Sequence, residues 1–440
     1  MKKLVLLIMI GAFLAAGGTA LAWNDAEHVI QAPNSEGDLM FFPVGVALDG
    51  WDTKITVTNT SSNRSAVAKV IVRSAGFSKE LLDFLIYLSP TDVWTGTLKH
   101  GTAGPVMYSD DDSCLSGPGV WANVVPMNQP LVDVCANDTN EIVYVTVIEA
   151  WSSNNAEGDP FPLCDLYDPP VPKDCIYDAY HDHFGATNDS PYNILTGHYE
   201  LSVLGAFTIG DRAEVMRDYD NRIKMLATAV QEIGTGADNN LCEIEAALSK
   251  NHLAMPYYND ATKLALHWVT FVTKLTQVED CLCDFNKGLF TGWGYWDGED
   301  YICKDVVFSP LYFDLRENSP GCEETVFSPY EPPPDRVFPY EVNFLFTVPT
   351  FISANYEEGW VEYNFSHSTT CDPKGSAAHE IRYNGAPAIA SAWLLNDNGL
   401  CLIPSAHVDG RVEYDHGSGF MDLIYYQYVN DDNGEYLVAP

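Results

Sequence analysis

The sequence predicts a mostly β protein in which immunoglobulin-like β-sandwich regions flank a three-helix segment. Three observations carry this expectation. Short runs of alternating apolar and polar residues recur between Asn, Asp, Gly and Pro clusters over residues 39–209. The spacing of apolar residues then changes to three and four over 211–278. Strand-like runs rich in aromatic and β-branched residues return after residue 286. The chain therefore divides into a leader at 1–22, a β-sandwich domain at 23–210, a helical insertion at 211–285 and a β-rich domain at 286–440.

At the N-terminus, Lys2 and Lys3 precede an apolar run, and Ala20-Leu21-Ala22 supplies a small-x-small cleavage pattern. This reads as a secretory signal peptide, so the chain is expected to be exported to the periplasm, the cell surface or the exterior. No later run has the length of an apolar membrane span. Residues 23–38 lack a period and read as an arm or first edge strand. In the strand at 39–48, Pro43 favours an edge position, because proline donates nothing to a ladder.

Ile55 and Val57 alternate with Thr56 and Thr58, and Val67, Lys69, Ile71 and Arg73 alternate with Ala68, Val70 and Val72. With the polar turn at 59–63 between them, the two runs are expected to form a hairpin. Residues 81–88 are almost continuously apolar and stop at Pro90, which predicts a third strand of the same sheet, buried on both faces. Val143, Val145 and Val147 share one face of the next strand, and residues 199–209 supply a last one.

Asp211 can cap a helix over 211–233, with Glu214 completing a capping box and Gly234 ending it. Residues 240–248 and 260–278 read as two further helices, the second with Leu264, Trp268 and Phe271 on one stripe. His267, between Leu264 and Phe271, reads as a satisfied core-edge histidine rather than a base. Beyond a proline-rich linker at 330–339, strands are expected at 342–348, 360–365, 389–395, 400–403, 423–429 and 436–438.

Asp and Glu number 61 against 23 Lys and Arg, a formal net charge of -38. That excludes nucleic acid as a partner, since phosphate binding needs a basic footprint. Disorder is excluded as well, because 46% of residues are hydrophobic and 12% aromatic, enough for sizeable cores. Eleven cysteines in an exported chain read as a disulfide framework. Local spacing favours Cys114 with Cys135, Cys164 with Cys175, Cys303 with Cys322 and Cys371 with Cys401, leaving Cys242, Cys281 and Cys283 unassigned.

Several phrases occur in a familiar order: NTS at 59–61, VAKVIVR, LLDFLIYLSPTDVWTG, YSDDDSC, YVTVIEA, NILTGHYEL and, much later, FTVPT. In this the chain resembles a class of secreted β-rich proteins of Gram-negative bacteria for which no activity is established. The resemblance covers most of residues 42–207 and, more faintly, 342–408. It implies export and a β-rich surface module; the segment at 211–278 does not belong to its pattern.

Four constellations are candidates for chemistry. His181 and His183 lie two apart, so on a strand both imidazoles face one way, and His198 could complete a Zn or Cu site; exposed loop histidines are the alternative. Asp110, Asp111 and Asp112 in one loop, and Asp431 and Asp432 in another, offer the hard oxygen ligands Ca²⁺ requires, or simply make solvated turns. Trp293, Tyr295, Trp296 and Asp297, set between glycines, could present a sugar-stacking platform, or fold into a core. Hydrolase motifs are missing: there is no GxSxG elbow, and His379-Glu380 lacks the second histidine of HExxH. The first expectation is thus a non-catalytic cell-surface structural protein that assembles with itself or other surface components, stabilised by disulfides and Ca²⁺. The second is an extracellular carbohydrate-binding protein or glycan hydrolase working through the aromatic loop.

Overall fold

The computed structural model describes residues 29–76, 79–117, 127–132, 139–153, 192–203, 207–219, 241–258, 264–271, 358–365 and 381–396, the single residues 176 and 180, and shorter strand segments of the C-terminal part. In chain order the first part contains β1 (Ile30–Gln31), β2 (Leu39–Val46), β3 (Trp51–Asn59), β4 (Ala66–Ser74), β5 (Glu80–Leu88), β6 (Val93–Gly101) and β7 (Gly104–Ser109). It continues with β8 (Cys114–Ser116), β9 (Met127–Pro130), β10 (Ile142–Ser152), β11 (Leu195–Val203), β12 (Phe207–Arg212) and β13 (Glu214–Arg217). Among the described residues these make two antiparallel sheets, ordered β1-β13-β2-β10-β4-β5-β8 and β12-β11-β3-β6-β7-β9.

The two sheets face each other across one core. Phe84 of the first sheet packs on Trp94 of the second, ring centroids 5.6 Å apart. Val143, Val145 and Val147 share a face of β10 and are fully buried, as their alternation predicts. Contact is close at Gly197, where an added Cβ would stand 2.6 Å from Phe42 Cζ, so no larger residue fits without moving that ring.

Two details differ from the sequence reading. The runs at 55–58 and 67–73 are not a hairpin: β3 pairs with β6 and β11, while β4 pairs with β5 and β10 in the opposite sheet. Asn59 turns the chain across, its Nδ2 donating to the carbonyls of Arg64 (2.7 Å) and Ser89 (2.9 Å). Burial explains the separation: Asp52 and Lys54 keep one side of β3 in solvent, whereas every residue of β4 is buried. Pro43, for its part, sits in a strand flanked by β13 and β10 rather than at an edge. It is tolerated because β13 pairs only with residues 39–41, and the register against β10 shifts between Val143 and Val145, opposite Pro43.

The three-helix segment is the largest correction. Residues 211–212 end β12, 214–217 form β13, and the run around Trp268 is a strand, while 220–233, 260–263 and 272–278 of the expected helices lie outside the described residues. Of the three expected helices, the described residues contain α1 (Leu241–Ala247), seven residues long. The apolar stripe at Leu264, Trp268 and Phe271 misleads because positions 267–271 are buried on both strand faces, and a doubly buried strand satisfies any periodicity.

After α1 come β14 (Ser249–Tyr258), β15 (Leu264–Phe271), β16 (Tyr295–Trp296), β17 (Tyr301–Ile302), β18 (Val306–Asp314), β19 (Arg336–Phe338), β20 (Val342–Phe346) and β21 (Glu358–Asn364). Then follow β22 (Ser368–Cys371), β23 (Ile381–Asn384), β24 (Ala386–Asn396), β25 (Gly399–Pro404) and β26 (Ala406–Asp409). The main C-terminal sheet runs β19-β18-β21-β14-β24-β15-β20, with β25 and β26 on β24 and β14. It narrows to a two-residue link, Ser249 with Pro387 and Lys250 with Ala386. Gly385, at φ 91°, makes that link possible, since a Cβ there would lie 2.2 Å from the Lys250 carbonyl oxygen. Met255, Tyr257, Val269, Phe271, Val361 and Leu394 form its core.

The two β regions meet directly. Thr270 Oγ1 donates to the Pro43 carbonyl at 2.6 Å, Val342 N to that of Ala75 at 3.1 Å, and Val29 N to Glu243 Oε2 at 2.9 Å. Trp51 and Trp393 lie against each other with centroids 6.0 Å apart. Among the described residues, no helix is long and apolar enough to cross a membrane.

Candidate functional site

A cavity of about 270 Å³ lies where the two regions join. One wall comes from β1, β2, β11, β12 and β13 through Gln31, Pro43, Tyr199, Asp211 and Glu214; the other comes from β14, β15 and β24 through Lys250, Leu253, Trp268 and Ala388–Ala390. Strand register explains the first wall: Tyr199 and Asp211 are direct cross-strand partners and share a face. Trp268 reaches the second because even-numbered residues of β15 share the side on which Thr270 bonds to Pro43.

Two atoms on these walls stand out. The Tyr199 hydroxyl and the Trp268 indole Nε1 are buried without a hydrogen-bond partner, and their residues are 3% and 1% exposed. Tyr and Trp ordinarily find a partner for these groups when buried, and leaving one unmade costs about 1–3 kcal/mol. Both residues line the cavity, and these two polar atoms are enclosed within its walls.

Charge on the walls is mixed. Gln31 Nε2 donates to Glu214 Oε1 at 2.7 Å, and Asp211 Oδ1 accepts from the Arg212 backbone at 2.8 Å. Burial raises the Asp211 carboxyl above its usual range. Burial, and then the neighbouring Asp211 charge, push the Tyr199 phenol far up, so it stays neutral and serves as donor and acceptor rather than base. What the walls offer chemically is hydrogen bonding, from the phenol, the carboxylates and Gln31.

The residues expected from sequence fall elsewhere. His198 is exposed on β11, with Thr56 and Arg212 as its cross-strand neighbours. Asp111 closes a turn: its Oδ1 accepts from Ser113 N at 2.9 Å and its Oδ2 from Thr95 N at 3.2 Å, while Asp110 and Asp112 are exposed. Among the described residues no three His, Cys, Asp or Glu side chains come together as a metal site. His181, His183, Asp431, Asp432, Trp293 and Asp297 lie outside the described residues. Tyr295 and Trp296 form β16, paired with β17. Cys114 is buried on β8, and Cys371 and Cys401 fall on β22 and β25; Cys135, Cys164, Cys175, Cys281, Cys283, Cys303 and Cys322 lie outside the description. His267 is a satisfied core histidine, though on a strand: Nδ1 contacts the Tyr363 hydroxyl at 2.7 Å and Nε2 the Pro256 carbonyl, so the ring is neutral with its proton on Nε2.

No protein family, curated protein or solved structure matches the chain.

Proposed function

We propose that this protein is an exported, non-catalytic binding protein that holds a small polyhydroxylated ligand, of the carbohydrate class, between its two β regions. The observation that carries the reading is the cavity itself, lined by Tyr199 and Trp268, each of which holds a polar atom without a hydrogen-bond partner just inside the wall. Sugar hydroxyls accept and donate at once, which suits a wall holding a phenol and an indole beside the carboxylates of Asp211 and Glu214. The size of the cavity suits one or two sugar rings rather than a long chain. Export is supported by the residues before Trp23, and an immunoglobulin-like sandwich by the many short antiparallel strands and by β10 lying between β2 and β4.

The test is a titration of the full mature chain with a panel of neutral mono- and disaccharides, following tryptophan fluorescence. One member should give a saturable change, weakened about tenfold by Tyr199→Phe, as loss of one hydrogen bond implies. A flat response across the panel by a folded protein would sink the carbohydrate reading.

A further inference from the structure

The outward face of the first sheet carries charges where solvent does not reach. Lys69 on β4 and Asp83 on β5 are 0% and 4% exposed, and Nζ of one contacts Oδ2 of the other. They are diagonal neighbours: Lys69 stands opposite Leu85 and Ile71 opposite Asp83, so both side chains leave the same face. Lys69 is set among buried apolar groups, Val67 and Ile71 along its own strand, Leu85 and Ile148 on either side. Trp151, opposite Val67 on β10, is itself covered by the buried ring of Tyr180. A second carboxyl is at hand: Glu80 lies opposite Arg73, and its Oε2 is buried with no hydrogen-bond partner.

We infer that Lys69 and Asp83 condense into an intramolecular amide, with Glu80 carrying the proton. Proton transfer within the ion pair gives an amine and a carboxylic acid. The amine nitrogen adds to Cγ of Asp83, Glu80 takes the proton that nitrogen sheds and returns it to the departing hydroxyl, and one water leaves. One C–N bond forms, one C–O bond breaks, and no oxidant or reductant is needed.

Three physical features favour the step. The reacting atoms are already in contact, and held reactants of this kind behave as if at concentrations on the order of 10⁵ M and above. A buried ion pair carries a desolvation cost that a neutral amide does not. Glu80 is suited to shuttle a proton near neutrality, since burial, and then the Asp83 charge, push its carboxyl up to about 7. Burial raises Asp83 as well, which favours the acid form the addition needs.

The experiment is tryptic mass mapping of the reduced full chain. Trypsin cannot cleave after an acylated lysine, so the wild type should give residues 65–73 joined to residues 80–99, lighter than their sum by one water. Glu80→Gln keeps the pair in place and should leave the two peptides separate, with cleavage after Lys69 restored. Lys69→Met removes the nucleophile and should give residues 65–73 uncleaved but separate from residues 80–99. Separate peptides from the folded wild type would overturn the proposal, and a joined peptide in Glu80→Gln would overturn the role given to Glu80.

Discussion

The two β regions handle buried titratable groups in opposite ways. The first stores carboxylates: Glu149 accepts from Tyr192 N (2.9 Å) and Ile194 N (3.3 Å), and Asp38 accepts from Tyr219 N (3.1 Å), both without solvent. Burial pushes Glu149 up to about 7, and burial together with the nearby Glu149 charge raises Asp38 well above its usual range. The second region instead buries an imidazole, His267, which loss of solvent pulls down to about 4. At these three sites burial favours the neutral form of the group, a protonated carboxyl in the first region and an unprotonated imidazole in the second.

Opposite pH dependences follow, and they are the largest expected effect. A folded Glu149 binds its proton more tightly than the unfolded chain does, so its contribution is complete below about pH 4.5 and is lost as pH rises through about 7. His267 binds its proton less tightly when folded, so its contribution is complete above about pH 6.5 and is lost as pH falls through about 4. Each is on the order of 3 kcal/mol. Amide exchange followed by mass spectrometry from pH 4.5 to 7.5, corrected for intrinsic rates, should show protection falling in β4 and β10 while it rises in β15 and β24. Parallel changes in both regions would break the contrast. Glu149→Gln should flatten the first trend, with a fixed loss of about 1 kcal/mol for the backbone N–H that an amide nitrogen cannot accept.

A middle-sized effect probes the junction. Thr270→Val leaves the buried Pro43 carbonyl without its 2.6 Å donor and should cost about 1–3 kcal/mol in denaturant unfolding. If the regions unfold separately in this variant, the contact is what couples them. Smaller again is the effect of the cavity donors on the empty protein. Tyr199→Phe removes a hydroxyl that has no partner, so melting temperature should hold or rise slightly even as ligand affinity falls. A drop in stability for Tyr199→Phe would mean the hydroxyl is structural. The smallest effect concerns assembly: with a net charge of -38, calcium should promote association by screening, reversibly with EDTA in light scattering.

Much of the β architecture is legible in the sequence, because half-buried and fully buried strands leave distinct patterns. Residues 55–57, 67–73 and 81–88 all fall in strands. What failed was pairing and length of period. Polar residues at 59–63 say that the chain turns, not whether it returns in the same sheet or crosses to the facing one. A run such as HWVTF, residues 267–271, buried on both sides, fits a helical spacing as readily as a strand's. The cavity was invisible because Tyr199 and Trp268 meet only through tertiary packing. The Lys69 and Asp83 pair did leave a signal, a charge inside each of two adjacent apolar runs, AVAKVIVRS and ELLDFLIYL.

The position of β13 bears on how the chain can fold as it is made. β13 slots between β1 and β2, and the bond from Gln31 to Glu214 joins residues 183 apart. Until residue 217 emerges, residues 39–41 of β2 present a bare, apolar ladder edge, a template for pairing with other chains. Closure of so long a loop is slow, so the nascent protein passes through an interval in which its first sheet is complete on one side only. A holding chaperone that covers an apolar strand edge would be of most use to this chain in that interval.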